Sequence, residues 1–378
     1  MIHIVADTTV YRNDPKREKA AFKALARLAQ GKHVTLHIPE IVRREFLSQE
    51  EQFLHENAKA IEDALHNLTK RPMDPKGIEH LKKVAGASAD IAKKLGPSAS
   101  KEFDAWAKSI LAKDHPIAPA HGAQVMDAYF SGAPPFKQKK NRNDIPDSFV
   151  WQVIQDLAKA HKPLYVVSGD AGIRAPLQGN KNFEVFASLE DLIASPAIQA
   201  LLQKHYASAN FSALLALLPS QIGFLEKEIE GPLVDELAGK MVSDGEEDDS
   251  EPTITGVDSP EDLEVDPDEA IDHGSGLAIV PFKLKVECGI AFCIDKSDYY
   301  TMSEERSERV AIEPLNDHRF SAEENRTVLV EGWLSVQIDP AKLQAEKIDE
   351  ATLLKVLKDG DISIDSIEEM KFEHAAGE

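Results

Sequence analysis

Asp7, Glu45, Asp147 and Asp170 lie far apart in the chain but share one local setting. Each stands where an apolar run ends or an amphipathic helix begins. In a parallel α/β sheet such positions converge outside the carboxyl ends of the strands. Carboxylates gathered there repel one another and are tolerated mainly around divalent cations, which take oxygen ligands. The pattern points to metal-assisted chemistry.

The residues differ in what else would explain them. Asp7 ends the apolar run IHIVA, where it could also make a turn with Thr8 and Thr9. Glu45 falls four residues after Ile41 and three after Val42, so on a helix entered at Pro39 it shares the apolar face and needs a partner. Glu40 stands four residues before Arg44 and reads instead as first-turn helix charge with an exposed ion pair. Asp147 precedes Val150 by three residues and Ile154 by seven, again on an inner stripe, although helix-dipole stabilisation would also place an acid there. Asp144 is either a further ligand or a cap. Asp170 sits in SGDAG, where Gly169 and Gly172 permit a tight loop and Ser168 could hydrogen-bond a carboxylate or a water.

These side chains need a scaffold, and the chain's periodicity supplies one. IHIVA, HVTLHIP, KPLYVVS and FEVFAS read as buried strands, and the segments between them read as amphipathic helices. Alternating strands and helices predict a parallel sheet covered by helices, an α/β class. Residues 50–133 read as a helical insertion of several helices, broken at RPMDP, LGPS and HPIAP. The expected first domain is 1–200, followed by a helical connector over 201–243. Between Asp244 and Asp272 stand 14 acidic residues and no Lys or Arg, which predicts a disordered linker over 244–274. LAIVPFKLKVECGIAFCI and RTVLVEGWLSVQI then predict a small, mainly antiparallel β (α+β) domain over 275–378.

Taken in order, ADTTV with Asp7, IPEIVRREF with Glu45, IPDSFVWQ with Asp147 and VVSGD with Asp170 resemble the PIN-domain nuclease family over about residues 1–195. The resemblance implies a three-layer α/β/α fold whose parallel sheet gathers these acids, with Asp144 as a further candidate, around Mg2+ or Mn2+. It also implies hydrolysis of RNA, most simply single-stranded, to a 5′-phosphate and a 3′-hydroxyl, with metal-activated water as nucleophile. Thr8 and Ser168 are the expected supporting residues. The sequence departs from the family pattern at Thr9, where asparagine is common, and in the length of the insertion. Acids repel phosphate, so a cationic surface is expected nearby, and Lys137, Lys139, Lys140 and Arg142 are the candidates for binding nucleic acid. A haloacid-dehalogenase-like phosphatase would need a second aspartate where Thr9 stands. A metal-dependent DNA nuclease of the flap-endonuclease group, or an inactive PIN-like scaffold for protein or RNA partners, are the other readings. Toxin, defence effector and RNA-processing enzyme are all roles within the family.

Composition sets outer bounds. The net charge of −22 argues against a nucleic-acid partner until it is divided. Residues 1–204 hold 29 Lys+Arg against 24 Asp+Glu, net +5, while 205–378 hold 14 against 41, net −27. The acidity belongs to the second half, whose C-terminal domain is where an inhibitor or partner protein is expected to bind; a homo-oligomer is a separate expectation, with the insertion before Asp147 a candidate for subunit contacts. Only Cys288 and Cys293 occur, which excludes a disulfide framework. The thirteen histidines form no helical HxxxH pair and no HExxH motif, so His37 and His121 read as ordinary packing residues. No apolar run approaches the roughly 18 residues of a membrane span, and the N-terminus carries no basic segment, so a cytoplasmic location without membrane association is expected.

Overall fold

The computed structural model describes residues 1–71, 74–206, 209–242, 252–344 and 348–373, and divides into two compact units, Met1–Ile198 and Gln199–Glu378.

In the first unit, β1 (Ile2–Ala6), β2 (Val34–Pro39), β3 (Lys113–His115), β4 (Leu164–Val167) and β5 (Phe183–Phe186) form a parallel sheet in the order β3-β2-β1-β4-β5. Its helices are α1 (Thr8–Asn13), α2 (Ala20–Gln30), α3 (Glu40–Thr69), α4 (Pro75–Ser109), α5 (Pro119–Ser131), α6 (Ile145–Ala160), α7 (Ala171–Arg174) and α8 (Leu189–Ala194). The strands are apolar because both faces are covered: Ile4, Val5, Leu36, Ile38, Leu164 and Val166 are buried. The chain leaves β1 for β2 on one side, whereas β4 lies on its other side. That reversal makes the carboxyl ends of β1 and β4 the topological switch point of the sheet, the place where ligands bind in open α/β sheets.

The insertion departs from its expected form in two ways. LGPS does not break a helix, since Pro97 lies inside α4. Its second part also contributes β3, whose three residues pair with the end of β2 and carry too little apolar pattern to be seen in sequence.

After α9 (Pro196–Tyr206) the second unit contains α10 (Ala209–Leu215), α11 (Ile222–Leu237), β6 (Thr253–Val265), β7 (Ile271–Gly274), β8 (Leu277–Asp295), α12 (Lys296–Thr301), α13 (Glu304–Arg309), β9 (Ala311–Pro314), β10 (Arg319–Gln337), α14 (Glu350–Lys358) and β11 (Asp361–Phe372). Its sheet is antiparallel in the order β11-β10-β8-β6, with β7 on β8 and β9 on β10. Alternate residues of β8, from Ala278 through Val280, Phe282, Leu284 and Val286 to Cys288 and Ile290, are buried in one cluster with Leu225, Ile229 and Leu233 of α11 and Leu353 of α14. Residues 201–243 are therefore no mere connector, because α11 supplies the layer that covers the sheet.

The acidic stretch is corrected as well. Residues 244–251 of the expected linker lie outside the described residues, but from Thr253 the chain is strand β6 on the sheet edge. Ile254, Pro260 and Leu263 turn inward, and three register shifts accommodate the rest. Glu261 faces Lys285 and Glu264 faces Lys283 across the ladder, so basic residues of β8 offset the acids. Composition alone hides such compensation. Pro260 is tolerated because an edge strand has one side free of ladder bonds.

Candidate metal centre

Asp7 leaves β1 directly and caps α1. Its Oδ1 accepts the Thr9 backbone N–H at 2.8 Å and the Thr9 hydroxyl at 2.5 Å, and its Oδ2 accepts the Ser168 hydroxyl. Its backbone N–H donates to the Val167 carbonyl at 3.0 Å, which ties the ends of β1 and β4 together. The side chain is buried, and burial raises its carboxyl above the usual range, although the hydrogen bonds from Ser168 and Thr9 pull the other way.

Asp170 caps the short α7, accepting the Gly172 N–H at 2.5 Å on Oδ1, while Lys137 Nζ stands 3.3 Å from Oδ2. Its own N–H donates to the Ser168 hydroxyl oxygen at 3.1 Å. Ser168 thus links the two aspartates. Thr9 links the same two loops, since its hydroxyl also accepts the Gly169 N–H at 2.8 Å. The approach is close: a Cβ on Gly169 would lie 3.0 Å from Thr9 Oγ1, so the Thr9 side chain would have to shift to admit one. Thr9 is the supporting residue the sequence reading missed. An Asp-x-Thr turn opening a helix was the available signal.

Glu45 lies on the second turn of α3, between the buried Val42 and Phe46. The Thr8 hydroxyl donates to its Oε2 at 2.7 Å, and the Gln49 amide stands 3.3 Å from Oε1. Glu40 instead pairs with Arg44 at 2.5 Å and accepts the Ile117 N–H at 3.0 Å, a structural role, as helical phase suggested.

Asp147 occupies the first turn of α6. Its carboxyl is pushed up to about 7, first by burial and then by Asp170, Glu45, Asp7 and Asp144 in that order. No hydrogen bond among the described residues offsets that repulsion. Four acids, three of them from other segments of the chain, therefore act electrostatically on Asp147 at one edge of the sheet. Asp144 is buried and turns Oδ2 to the Lys137 backbone N–H at 2.9 Å, so it pins the basic loop to the start of α6.

The basic loop reaches the same edge. Lys137 touches Asp170, while Lys139, Lys140 and Arg142 are exposed just before α6. Lys140 has a left-handed backbone, φ 61°, and its ammonium lies 6.0 Å from the Phe130 ring centre.

Acids outside β1 and β4, on the second turn of α3 and on the first turn of α6, met by a basic loop, form an ordered arrangement that can be compared with known families. Residues 4–172 match the family model of the PIN domain. PIN domains are usually metal-dependent nucleases, and this segment contains all five acids and the whole basic loop. Neither a curated protein nor a solved structure matches the chain. The matched segment fits a divalent cation on chemical grounds: the donors at this edge are carboxylate oxygens, and burial followed by repulsion from the neighbouring acids raises the Asp147 carboxyl. No helix among the described residues is long and apolar enough to cross a membrane.

Histidines supply the other departure. Among the described residues, the group of three ligating side chains whose donor atoms lie within 4.8 Å of one another is His3, His37 and His161. His121 behaves as expected, held by Asp156 at 2.9 Å and by the Ala118 N–H at 3.2 Å. His37 does not.

Proposed function

We propose that the protein is a metal-dependent endoribonuclease that hydrolyses phosphodiester bonds of single-stranded RNA at the edge formed by Asp7, Glu45, Asp147 and Asp170. The observation that carries the reading is that Asp170, Glu45, Asp7 and Asp144 all act electrostatically on Asp147, beside a loop bearing four cationic side chains.

Asp7, Glu45, Asp147 and Asp170 would hold Mg2+ or Mn2+. When bound, such a cation supplies an activated water and neutralises charge on the phosphodiester and its leaving oxygen. The chain's own groups do the rest. Ser168 and Thr9 fix both oxygens of Asp7, and Thr8 fixes one oxygen of Glu45, so these carboxylates keep their aim without substrate. In the metal-free protein the Asp147 carboxyl, pushed up to about 7 by burial and then by its acidic neighbours, holds a proton that a bound cation would displace. Lys137 stands where a phosphate oxygen could exchange for the Asp170 carboxylate. Lys139, Lys140 and Arg142 extend the positive surface along which a flexible strand is drawn in. A single strand suits this edge because the exposed Phe130 near the end of α5 lies beside Lys140 of the loop, and the pair can take a base and a phosphate together.

The test is direct. Purified protein with Mg2+ or Mn2+ should cleave single-stranded RNA to ends bearing 5′-phosphate, and Asp7→Asn and Asp170→Asn should each abolish cleavage. Unchanged cleavage in both variants would overturn the assignment, and cleavage of DNA with RNA left intact would redirect the substrate.

A further inference from the structure

His3 on β1, His37 on β2 and His161 at the end of α6 come from three separate segments of the first unit. Because β1 and β2 are parallel and Val5 pairs with His37, the side chains of His3 and His37 project from the same face of the sheet. His115 on β3 is on that face too, two residues beyond Lys113, which pairs with His37. His161 closes α6 at the end opposite Asp147. Fourteen helical residues at 1.5 Å each place it roughly 21 Å along the axis from that acid.

The contacts among the rings are specific. His3 Nδ1 lies 2.9 Å from His37 Nε2, and His37 Nδ1 lies 2.7 Å from His115 Nε2. The His3 and His161 rings stack with centres 3.6 Å apart. Neutral imidazole has one donor nitrogen and one acceptor, so a proton on His37 Nδ1 given to His115 leaves His37 Nε2 as a lone pair aimed at His3. That is the arrangement of a metal-binding histidine, whose second nitrogen donates to a partner that sets its tautomer.

We infer that His3, His37 and His161 form a binding site for a borderline first-row divalent cation such as Zn2+, separate from the acidic edge, with His115 orienting His37. The cation takes the place of the proton shared between His3 Nδ1 and His37 Nε2, and that proton moves to His3 Nε2, so all three imidazoles stay neutral. Imidazole nitrogens favour Zn2+, Cu2+ or Ni2+ over Mg2+, the reverse of the carboxylate edge. His37 is buried and His3 partly buried, and coordination uses the neutral imidazole nitrogens. Lys113 and the N-terminus oppose a cation here, while Asp114, beside His115, acts in its favour. His161 is partly exposed at a helix end and can turn out of its stack on His3 to complete the set. The bound ion would tie β1, β2 and the end of α6 together.

The test uses the full chain carrying Asp147→Asn, stripped of metal, so that the acidic edge is weakened. Co2+ serves as the spectroscopic probe and Zn2+ as competitor. The expected result is visible ligand-field absorption saturating at one equivalent, displaced by Zn2+ and not by Mg2+, and weakened at least tenfold by His161→Gln. His161→Gln should keep the far-ultraviolet circular dichroism of its parent, because the side chain sits at a helix end. Absorption that does not saturate at one equivalent, or that is the same with His161→Gln and with His3→Gln, would overturn the site. The readout is binding, so it stands whether or not RNA is cleaved.

Discussion

Thr9 holds Asp7 and the loop before Asp170 with one hydroxyl, donating to Asp7 Oδ1 at 2.5 Å and accepting the Gly169 N–H at 2.8 Å. Thr9→Val removes both bonds and leaves the Gly169 N–H without its partner, at a cost of about 1–3 kcal/mol. Chemical denaturation should show that loss, and cleavage of RNA should fall about tenfold or more as Asp7 loses its aim. Thr9→Ser keeps the hydroxyl and should retain most of both.

Asp147 carries a pH signature. Its folded-state carboxyl is raised to about 7 from an ordinary value of 3.8, so its contribution to stability is fully present below 3.8 and is lost as pH rises through about 7. In metal-free protein, Asp147→Asn should therefore raise the Tm at pH 8. The gain should be on the order of 1–2 kcal/mol once solvent screening of this partly exposed group is allowed for, and should vanish by pH 4. Cleavage with saturating metal should be lost in the same variant. A Tm that does not change at either pH would show that its acidic neighbours do not act on Asp147.

The same raised carboxyl makes divalent-cation binding compete with a proton. Below about pH 7 the apparent affinity for Mg2+ should fall about tenfold per pH unit, with proton release measurable in weak buffer. Isothermal titration in two buffers of different ionisation heat checks this. Asp147→Asn should remove the release.

Lys139, Lys140 and Arg142 are exposed and carry no catalytic contact, so replacing all three with alanine should weaken RNA binding without unfolding the domain. If each meets one phosphate, the slope of log affinity against log salt should shrink by about 2, at roughly 0.7 per contact on single strands. An unchanged slope would place the substrate elsewhere. Lys137→Ala should add a further loss, because Lys137 alone of the four touches an acid of the edge.

Gly332 tests the second unit. It faces Phe282 across the sheet at a register shift of β10, and a Cβ there would collide with the Ser366 carbonyl and lie 3.1 Å from the Phe282 ring. Gly332→Ala should cost about 3 kcal/mol or more through forced backbone movement, read as a lowered unfolding midpoint.

Much of the acidic edge was legible because it depends on local rules. Asp7 and Asp170 follow apolar strands, and the end of a parallel strand can point only to the carboxyl edge. Glu45 was separable from Glu40 because 3.6 residues per turn puts Glu45 among Val42 and Phe46, and Glu40 on the side of Arg44. Strand composition likewise marked most of β8 and the second half of β10. β3 stayed hidden because three residues, two of them charged, carry no period.

By itself, then, the amino-acid sequence determined which strands are buried, which acids end them, and in what order they arrive at one edge. Only the tertiary structure decided which side chains far apart in the chain share a hydrogen bond or a charge. Thr9 meets Gly169, Glu261 faces Lys285, and His3 meets His37 and His161, because sheet pairing and crossover bring them together. No local pattern encodes such a meeting. Periodicity reports which face of its own element a residue occupies, whereas the partner it finds there is set by how separate elements pack.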